Sequence, residues 1–306
     1  MDCKLYFNLT NEMLDCAIDI AETLGKIDNK ILERVPKLKE ANLAKAVYST
    51  LALKGNCLSY EQICSIGKGE QVLGAIKEIQ EGKNAYKAYK DLPNTAWDSE
   101  SSFLQSYKKL AGLSTKQYEQ VHASLLEGVQ QLLDWGRASS AHPLIKSVIL
   151  HYQLINTQLP TNQSGKISRL WSRAVLTSWR PIFAFIPIES ILLEQKEEYY
   201  KTLDWNKHKG SLNNVIMFML QAILKAVSQF AIDIDNHLLN TSDRVRKLML
   251  VAQEYPMSAN ELLGLLGLKS KSAFFKNYLQ PALQAGLIAK TLPAKPTSGN
   301  QRYYKK

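Results

Sequence analysis

The chain predicts an all-α protein with a small β element confined to its C-terminal end. Three observations carry that expectation. Apolar residues recur at helical spacing through most of residues 10–238. No alternating apolar and polar run of any length precedes residue 285. The last 65 residues change character, with short helical stretches punctuated by glycines and followed by two extended segments. With 306 residues, 45% hydrophobic and 22% charged, the composition is that of a folded protein with one large core and a small second domain.

The elements follow in order. Leu14, Ile18, Ala21 and Leu24 place an apolar stripe on a first helix. Val72, Ile76, Ile79, Ala85, Tyr86 and Tyr89 do so on a second stretch, and Leu125, Val129, Leu132 and Leu133 on a third. Pro143 suits a first helical turn, where its missing N–H has no intrahelical partner. Leu144–Thr157 then reads as a buried helix, and Val215–Ala231 as another. The longest apolar stretch, Val215 to Leu224, is broken by Gln221 and falls short of the about 20 residues that span a bilayer, so no membrane contact is expected. Asp2 and Lys4 precede no long apolar run, which speaks against a signal peptide. Cys3, Cys16, Cys57 and Cys64 have no metal-binding spacing. A cytoplasmic protein with reduced thiols and no metal site is expected.

A linker is expected near Asn236–Ser242. Beyond it, Val245–Gln253 is a helical run. Ser258-Ala-Asn-Glu261 is a capping box that opens a short helix, Glu261–Leu266, closed by Gly267. Ser272–Leu279 and Pro281–Ala285 form a third helical stretch, stopped by Gly286. Leu287–Thr291 and Gln301–Tyr304 are extended, with a turn-forming stretch at Pro293–Asn300 between them. Three short helices and a two-stranded ribbon make a winged helix-turn-helix over residues 241–306.

Charge gathers there. Of the net +10, this segment supplies eleven basic and three acidic residues, a net of +8. The asymmetry predicts an acidic partner, with DNA first and an acidic protein second. The second helix of such a motif presents its N-terminal residues to the major groove, and the wing reaches nearby backbone. The candidate contacts are therefore Lys269, Lys271, Ser272 and Lys276 on the helix, with Lys295, Arg302, Lys305 and Lys306 on the wing side. Only Ser272 and Asn277 are suited to base edges; the others are phosphate-contact types, so sequence specificity is not expected. A scaffold role with solvated lysines is the alternative.

The stretch from His142 to Tyr200 carries the chemistry. It opens His142-Pro-Leu-Ile-Lys-Ser-Val-Ile-Leu-His-Tyr152, runs through Gln158-Leu-Pro-Thr-Asn-Gln-Ser-Gly-Lys-Ile-Ser-Arg-Leu-Trp171 and Pro181-Ile-Phe-Ala-Phe-Ile-Pro-Ile-Glu-Ser-Ile191, and ends Gln195-Lys-Glu-Glu-Tyr-Tyr200. It resembles the centre of a Fic-domain protein, the family that moves AMP from ATP onto target hydroxyls. The resemblance implies a Fic-like helical core over residues 96–240, preceded over 1–95 by a helical region with a degenerate inhibitory-helix motif. The family loop reads His-x-Phe-x-Asp/Glu-Gly-Asn-Gly-Arg-x-x-Arg. Its His is the general base, its acid holds Mg²⁺, its glycines admit phosphate to a helix N-terminus, and its arginines hold phosphate charge.

Aligned without gaps, Gln158 stands for the His, Pro160 for the aromatic and Asn162 for the acid. Gln163 and Ser164 replace the first Gly and the Asn, Gly165 is kept, Lys166 replaces the first Arg, and Arg169 matches the second. Gln158 has no proton that titrates near neutrality, and loss of a general base costs about 10²–10⁴ in rate. Asn162 is a poor ligand for a hard dication, and Lys166 is a point charge where a planar fork belongs. His151 lies seven residues before Gln158 on the same helix, roughly 10 Å away, and is not expected to replace the base. Thr50-Leu-Ala-Leu-Lys54-Gly55-Asn56 matches the inhibitory motif, with Lys54 in place of its Glu. The hairpin flap that holds targets by strand addition has no counterpart pattern in Leu113–Gln130.

The resemblance thus implies a non-catalytic member acting as a binding or regulatory module. No cofactor is expected, although the family uses ATP and Mg²⁺. The remnant of the loop is expected to be a phosphate or anion site of Gly165, Lys166, Arg169 and Lys54 that takes sulfate, phosphate or nucleotide weakly. Two alternatives stand beside it. One is residual or altered transfer of a nucleotide or phosphate-containing group to protein hydroxyls. The other is a structural subunit paired with an active relative, which leaves an oligomer open.

Overall fold

The computed structural model describes residues 7–27, 35–157, 159–160, 163–209, 211–239, 243–293, 295 and 298–305. Gln158, Asn162 and Lys306 therefore lie outside the described residues, as does the end of the expected linker. The chain forms two compact units. The larger holds α1 and residues 39–230; the smaller holds the described residues of 28–38 and 231–306. The expectation of an all-α protein with a small C-terminal sheet holds.

The larger unit is built from α1 (Asn11–Gly25), α2 (Pro36–Ala52), α3 (Tyr60–Lys68), α4 (Ile76–Lys90), α5 (Glu100–Ala111), α6 (Thr115–Ala138), α7 (Pro143–Asn156), α8 (Ser164–Trp179), α9 (Ile188–Glu194), α10 (Lys196–Lys209) and the start of α11 (Asn213–Leu239). Single 3₁₀ turns lie at Leu92–Asn94 and Pro181–Phe185. α8 is the axis of the core: every residue from Gly165 to Thr177 is buried. A helix covered on all sides must neutralise its polar side chains internally. Arg173 does so fully. Its Nη1 donates to Glu189 Oε2 at 2.8 Å, and its Nε and Nη2 donate to the carbonyls of Phe183 and Ala184 at 3.0 and 2.9 Å. That pair ties the Pro181–Phe185 turn and α9 to α8. Trp171 fills the other side, edge-on to Phe103 with ring centroids 4.8 Å apart.

α7 packs on α8 and begins as expected, with Pro143 in its first turn. His142 caps it by accepting from the Leu144 N–H at Nδ1, 3.2 Å away. Partial burial lowers the His142 pKa, which favours the neutral ring that this bond requires.

Four expectations are corrected. On α1 the buried face is Met13, Cys16, Ile20 and Leu24, whereas Leu14 and Ile18 are exposed. Both stripes have helical spacing, so only packing chooses between them. Ile76 is exposed at the first residue of α4, and Val72 precedes that helix. The apolar stretch of α11 extends beyond Leu224: Asn213–Ile234 has a mean hydropathy of 1.8, long and apolar enough by composition to cross a membrane. Half of that window is buried inside the protein, as in a core helix. Finally, a strand does precede residue 285, at Met257–Ser258.

The smaller unit contains α12 (Asp243–Val251), β1 (Met257–Ser258), α13 (Ala259–Leu265), α14 (Lys271–Phe274), a π-helical turn (Phe275–Leu279), α15 (Gln280–Gln284), β2 (Ile288–Lys290) and β3 (Arg302–Lys305). The antiparallel sheet has the order β1-β3-β2, with Met257 opposite Tyr303 and Ala289 opposite Tyr304. Two-residue β1 thus adds a third strand to the expected ribbon. Val245, Leu248, Leu262, Phe274, Leu279, Ala282, Ile288 and Tyr303 form the core. The π turn has a local cause. Pro281 has no N–H to give to the carbonyl four residues back, and the Gln280 N–H reaches the Phe275 carbonyl instead.

Candidate functional site

The start of α8 is anchored before any charge is placed. Ser164 Oγ donates to the Thr157 carbonyl at 2.9 Å, and the Tyr107 hydroxyl donates to the Pro160 carbonyl. The N–H groups of Lys166 and Ile167 both reach the Gln163 carbonyl, each at 2.9 Å. Gln163 stands at the N-cap without a side-chain capping bond. The aligned peptides of this 16-residue helix direct partial positive charge to its start.

Lys54 lies over that start. A Cβ added to Gly165 would come within 2.8 Å of Lys54 Cε and within 3.4 Å of both Lys54 Nζ and Arg169 Nη1. Only glycine leaves this side chain in place. The turn ending α2 carries Lys54: its N–H donates to the Leu51 carbonyl at 2.9 Å, and Gly55 reverses the chain with φ of 82°. The Tyr200 hydroxyl donates to the neighbouring Leu53 carbonyl at 2.8 Å.

Arg169 is 3% exposed. Its Nε donates to Thr50 Oγ1 at 2.7 Å and its Nη2 to the Thr50 carbonyl at 3.0 Å. It also hydrogen-bonds the Tyr199 hydroxyl, which lies 3.0 Å from His151 Nε2. All of these partners are neutral. Among the described residues, neither Arg169 nor Lys54 is ion-paired. Burial holds the Lys54 pKa below its usual value, and the nearby charges of Arg169 and Lys166 push it the same way. Burial, then Arg169, takes His151 down to about 3; burial takes Tyr199 up to about 12.

A cleft of about 380 Å³ is lined by Lys54, Ile155, Asn156, Thr157, Leu159, Ser164, Gly165, Arg169, Tyr199 and Tyr200. Three of the four residues expected at an anion site, Lys54, Gly165 and Arg169, therefore meet. Lys166 does not line the cleft: its Nζ turns to Glu81 Oε2, 3.3 Å away. Sequence reasoning missed Thr50, Glu81, Tyr199 and Tyr200 as supports. Thr50 heads the Thr50–Asn56 stretch and the tyrosines close the His142–Tyr200 stretch, so their positions were signalled but not their roles. The described donor set is cationic, and Glu81 is committed to Lys166, which does not suit a hard dication such as Mg²⁺. His151 is fully buried and held neutral against Tyr199, a core residue rather than a base. Where the family flap was sought, α6 runs as one uninterrupted helix.

In the smaller unit, Lys269, Lys271, Ser272 and Lys276 are exposed around the start of α14, which Ser270 caps by accepting from the Ala273 N–H at 3.2 Å. Lys295, Arg302 and Lys305 are exposed on the wing side. Arg302 Nη1 lies 3.8 Å from Glu261 Oε2, an exposed pair that does little to fix it. Asn277 is half-buried.

The family model described as "Filamentation induced by cAMP protein Fic-like, C-terminal domain" matches residues 243–304. No curated protein matches the chain. Among solved structures, a Fic family protein from Desulfovibrio desulfuricans G20 is 27% identical, with a TM-score of 0.71 over 99% of this chain and 98% of that one. Fic-1 from C. elegans is 19% identical, with a TM-score of 0.56 over 73% and 71% of the two chains. A Fic domain containing signaling protein from Bacteroides thetaiotaomicron is 16% identical, with a TM-score of 0.56 over 74% and 98%. The last two likenesses speak to the fold alone.

Proposed function

The chain belongs to the Fic family, and from that premise we propose that it is a member without AMP-transferase activity that works as a binding module. Its cleft takes small anions, and its winged helix contacts the phosphate backbone of DNA. One observation carries the reading of the cleft: among the described residues, a buried guanidinium bonded to neutral groups sits beside a lysine without an ion pair at a helix start. A buried charge left uncompensated is unfavourable by several kcal/mol, on the order of the cost of ion burial. A bound anion supplies the missing countercharge and also accepts from the helix N–H groups. Among the described residues these cations make no ion pair with a carboxylate that could hold Mg²⁺, and Gln158 has no titratable proton with which to act as a base.

The direct test is incubation with labelled ATP, Mg²⁺ and a cell lysate. No protein should acquire covalent label; labelling of any band by this chain overturns the proposal. Calorimetry should show sulfate or phosphate binding that is indifferent to Mg²⁺. Tight, Mg²⁺-dependent binding of ATP would instead support the transfer reading.

A further inference from the structure

We propose that Lys54 is a carbonyl-reactive amine, forming a reversible imine with small aldehydes or ketones that carry a phosphate or carboxylate group. The inference rests on the anion reading of the cleft and adds a covalent step to it. Its basis is geometric. Lys54 Nζ and Arg169 Nη1 are each 3.4 Å from the same point above Gly165. An anionic group held by Arg169 and the start of α8 therefore brings a nearby carbonyl carbon against the amine. The cleft, about 380 Å³, is within the range that holds small organic ligands, roughly 300–1,000 Å³.

The lysine is also set apart chemically. Of the three cations buried along α8, Lys166 and Arg173 have carboxylates, Glu81 and Glu189, and Arg169, which shares the cleft with Lys54, is bonded to neutral groups. Nothing described pairs with Lys54, and this exposed residue lines the cleft. Partial burial and two cationic neighbours disfavour its ammonium form, so more of it is free amine at neutral pH than of a solvated lysine.

The chemistry balances without an oxidant or metal. The amine lone pair forms a C–N bond to the carbonyl carbon as the C=O π pair moves to oxygen. A proton passes from nitrogen to that oxygen, giving a carbinolamine. The nitrogen lone pair then forms C=N as the C–O bond breaks, and the oxygen leaves, with one further proton, as water. Hydrolysis reverses each step. The Tyr199 hydroxyl lines the same cleft, but its bonds to His151 and Arg169 leave it a structural neighbour in this scheme.

The probe is pyridoxal 5′-phosphate added to the full chain at one equivalent, followed by borohydride reduction and peptide mapping. Lys54 should carry label at about tenfold the level of exposed lysines such as Lys271 and Lys276, as expected of an amine with depressed basicity in an anion site. Inorganic phosphate should suppress that label, and pyridoxal lacking the phosphate should not produce the preference. Lys54→Arg should lose the label. Label spread evenly over the lysines, or an unchanged labelling pattern in Lys54→Arg, overturns the proposal. If phosphate binds to the wild type and Lys54 is not labelled, only the imine fails. If phosphate does not bind at all, the anion reading fails with it.

Discussion

Arg169 and Arg173 stand one helical turn apart on α8, both buried, and their partners decide what each does. Arg173 is satisfied by a carboxylate and two carbonyls, so it is part of the scaffold. Glu189→Ala should destabilise the fold by about 3–5 kcal/mol, because it strands a buried guanidinium; a denaturant melt measures this. Among the described residues Arg169 makes no ion pair, and it lines a cleft of about 380 Å³. Lys54→Glu should place a carboxylate there, lowering phosphate affinity by about tenfold or more as the charge beside Arg169 reverses from repulsive to attractive. Calorimetry with phosphate reads the loss. Gln158→His alone should produce no AMP transfer in the labelled-ATP assay, because base, metal ligand and phosphate fork act as a unit. His151 gives a pH signature. Its folded value of about 3 lies below the ordinary 6.5. Between those values the unfolded chain holds the extra proton, so stability falls as pH drops through this window. The slope is about 1.4 kcal/mol per pH unit for one such group. Urea melts at pH 7, 5.5 and 4 should trace the fall, and His151→Gln should flatten it.

Among the elements, the short turn after α2 does the most for the site. It carries Lys54 and Gly55 and is held to α10 through Tyr200. α6 occupies the stretch where a target-holding hairpin was sought, so the described chain offers no strand edge there for an incoming peptide. In the smaller unit the capping box was legible from spacing, and the bonds are made: Ser258 N–H to Glu261 Oε2 at 2.6 Å, and Glu261 N–H to Ser258 Oγ at 3.2 Å. Ser258→Ala should cost about 1 kcal/mol in a thermal or denaturant melt, the ordinary loss of an N-cap oxygen. The π turn was not legible. A regular helix places residues three or four apart on one face, yet Phe274 and Leu279, five apart, both enter the core. Pro281 marks the place where the ladder fails but does not say which way the chain relieves it.

At the scale of the molecule, charge separates two roles. The larger unit buries Lys166, Arg169 and Arg173 along α8, beside many exposed lysines. The smaller unit keeps its own outside, around the start of α14 and on the wing. Exposed lysines of that kind act through counterion release. A duplex DNA titration should therefore show affinity falling steeply between two salt concentrations. Replacing Lys269, Lys271 and Lys276 with Gln should reduce the log–log salt slope by about one for each lysine that contacts a phosphate. Absence of binding at low salt, or a slope untouched by the three substitutions, would leave an acidic protein as the partner to seek.

The amino-acid sequence by itself determined the helical class, the C-terminal winged helix and its capping box. Each of these is a property of contiguous residues: periodicity, cap spacing and side-chain chemistry need no knowledge of what lies across the core. Only the tertiary structure decided which stripe of α1 is buried, since Met13–Leu24 and Leu14–Ile18 are both helical patterns. It alone turned Lys166 to Glu81, 85 residues earlier, and held Arg169 on Thr50, 119 residues earlier. Whether a buried charge is neutralised or left for a ligand depends on residues far apart in the chain that packing brings within a few ångströms, and no local spacing encodes that.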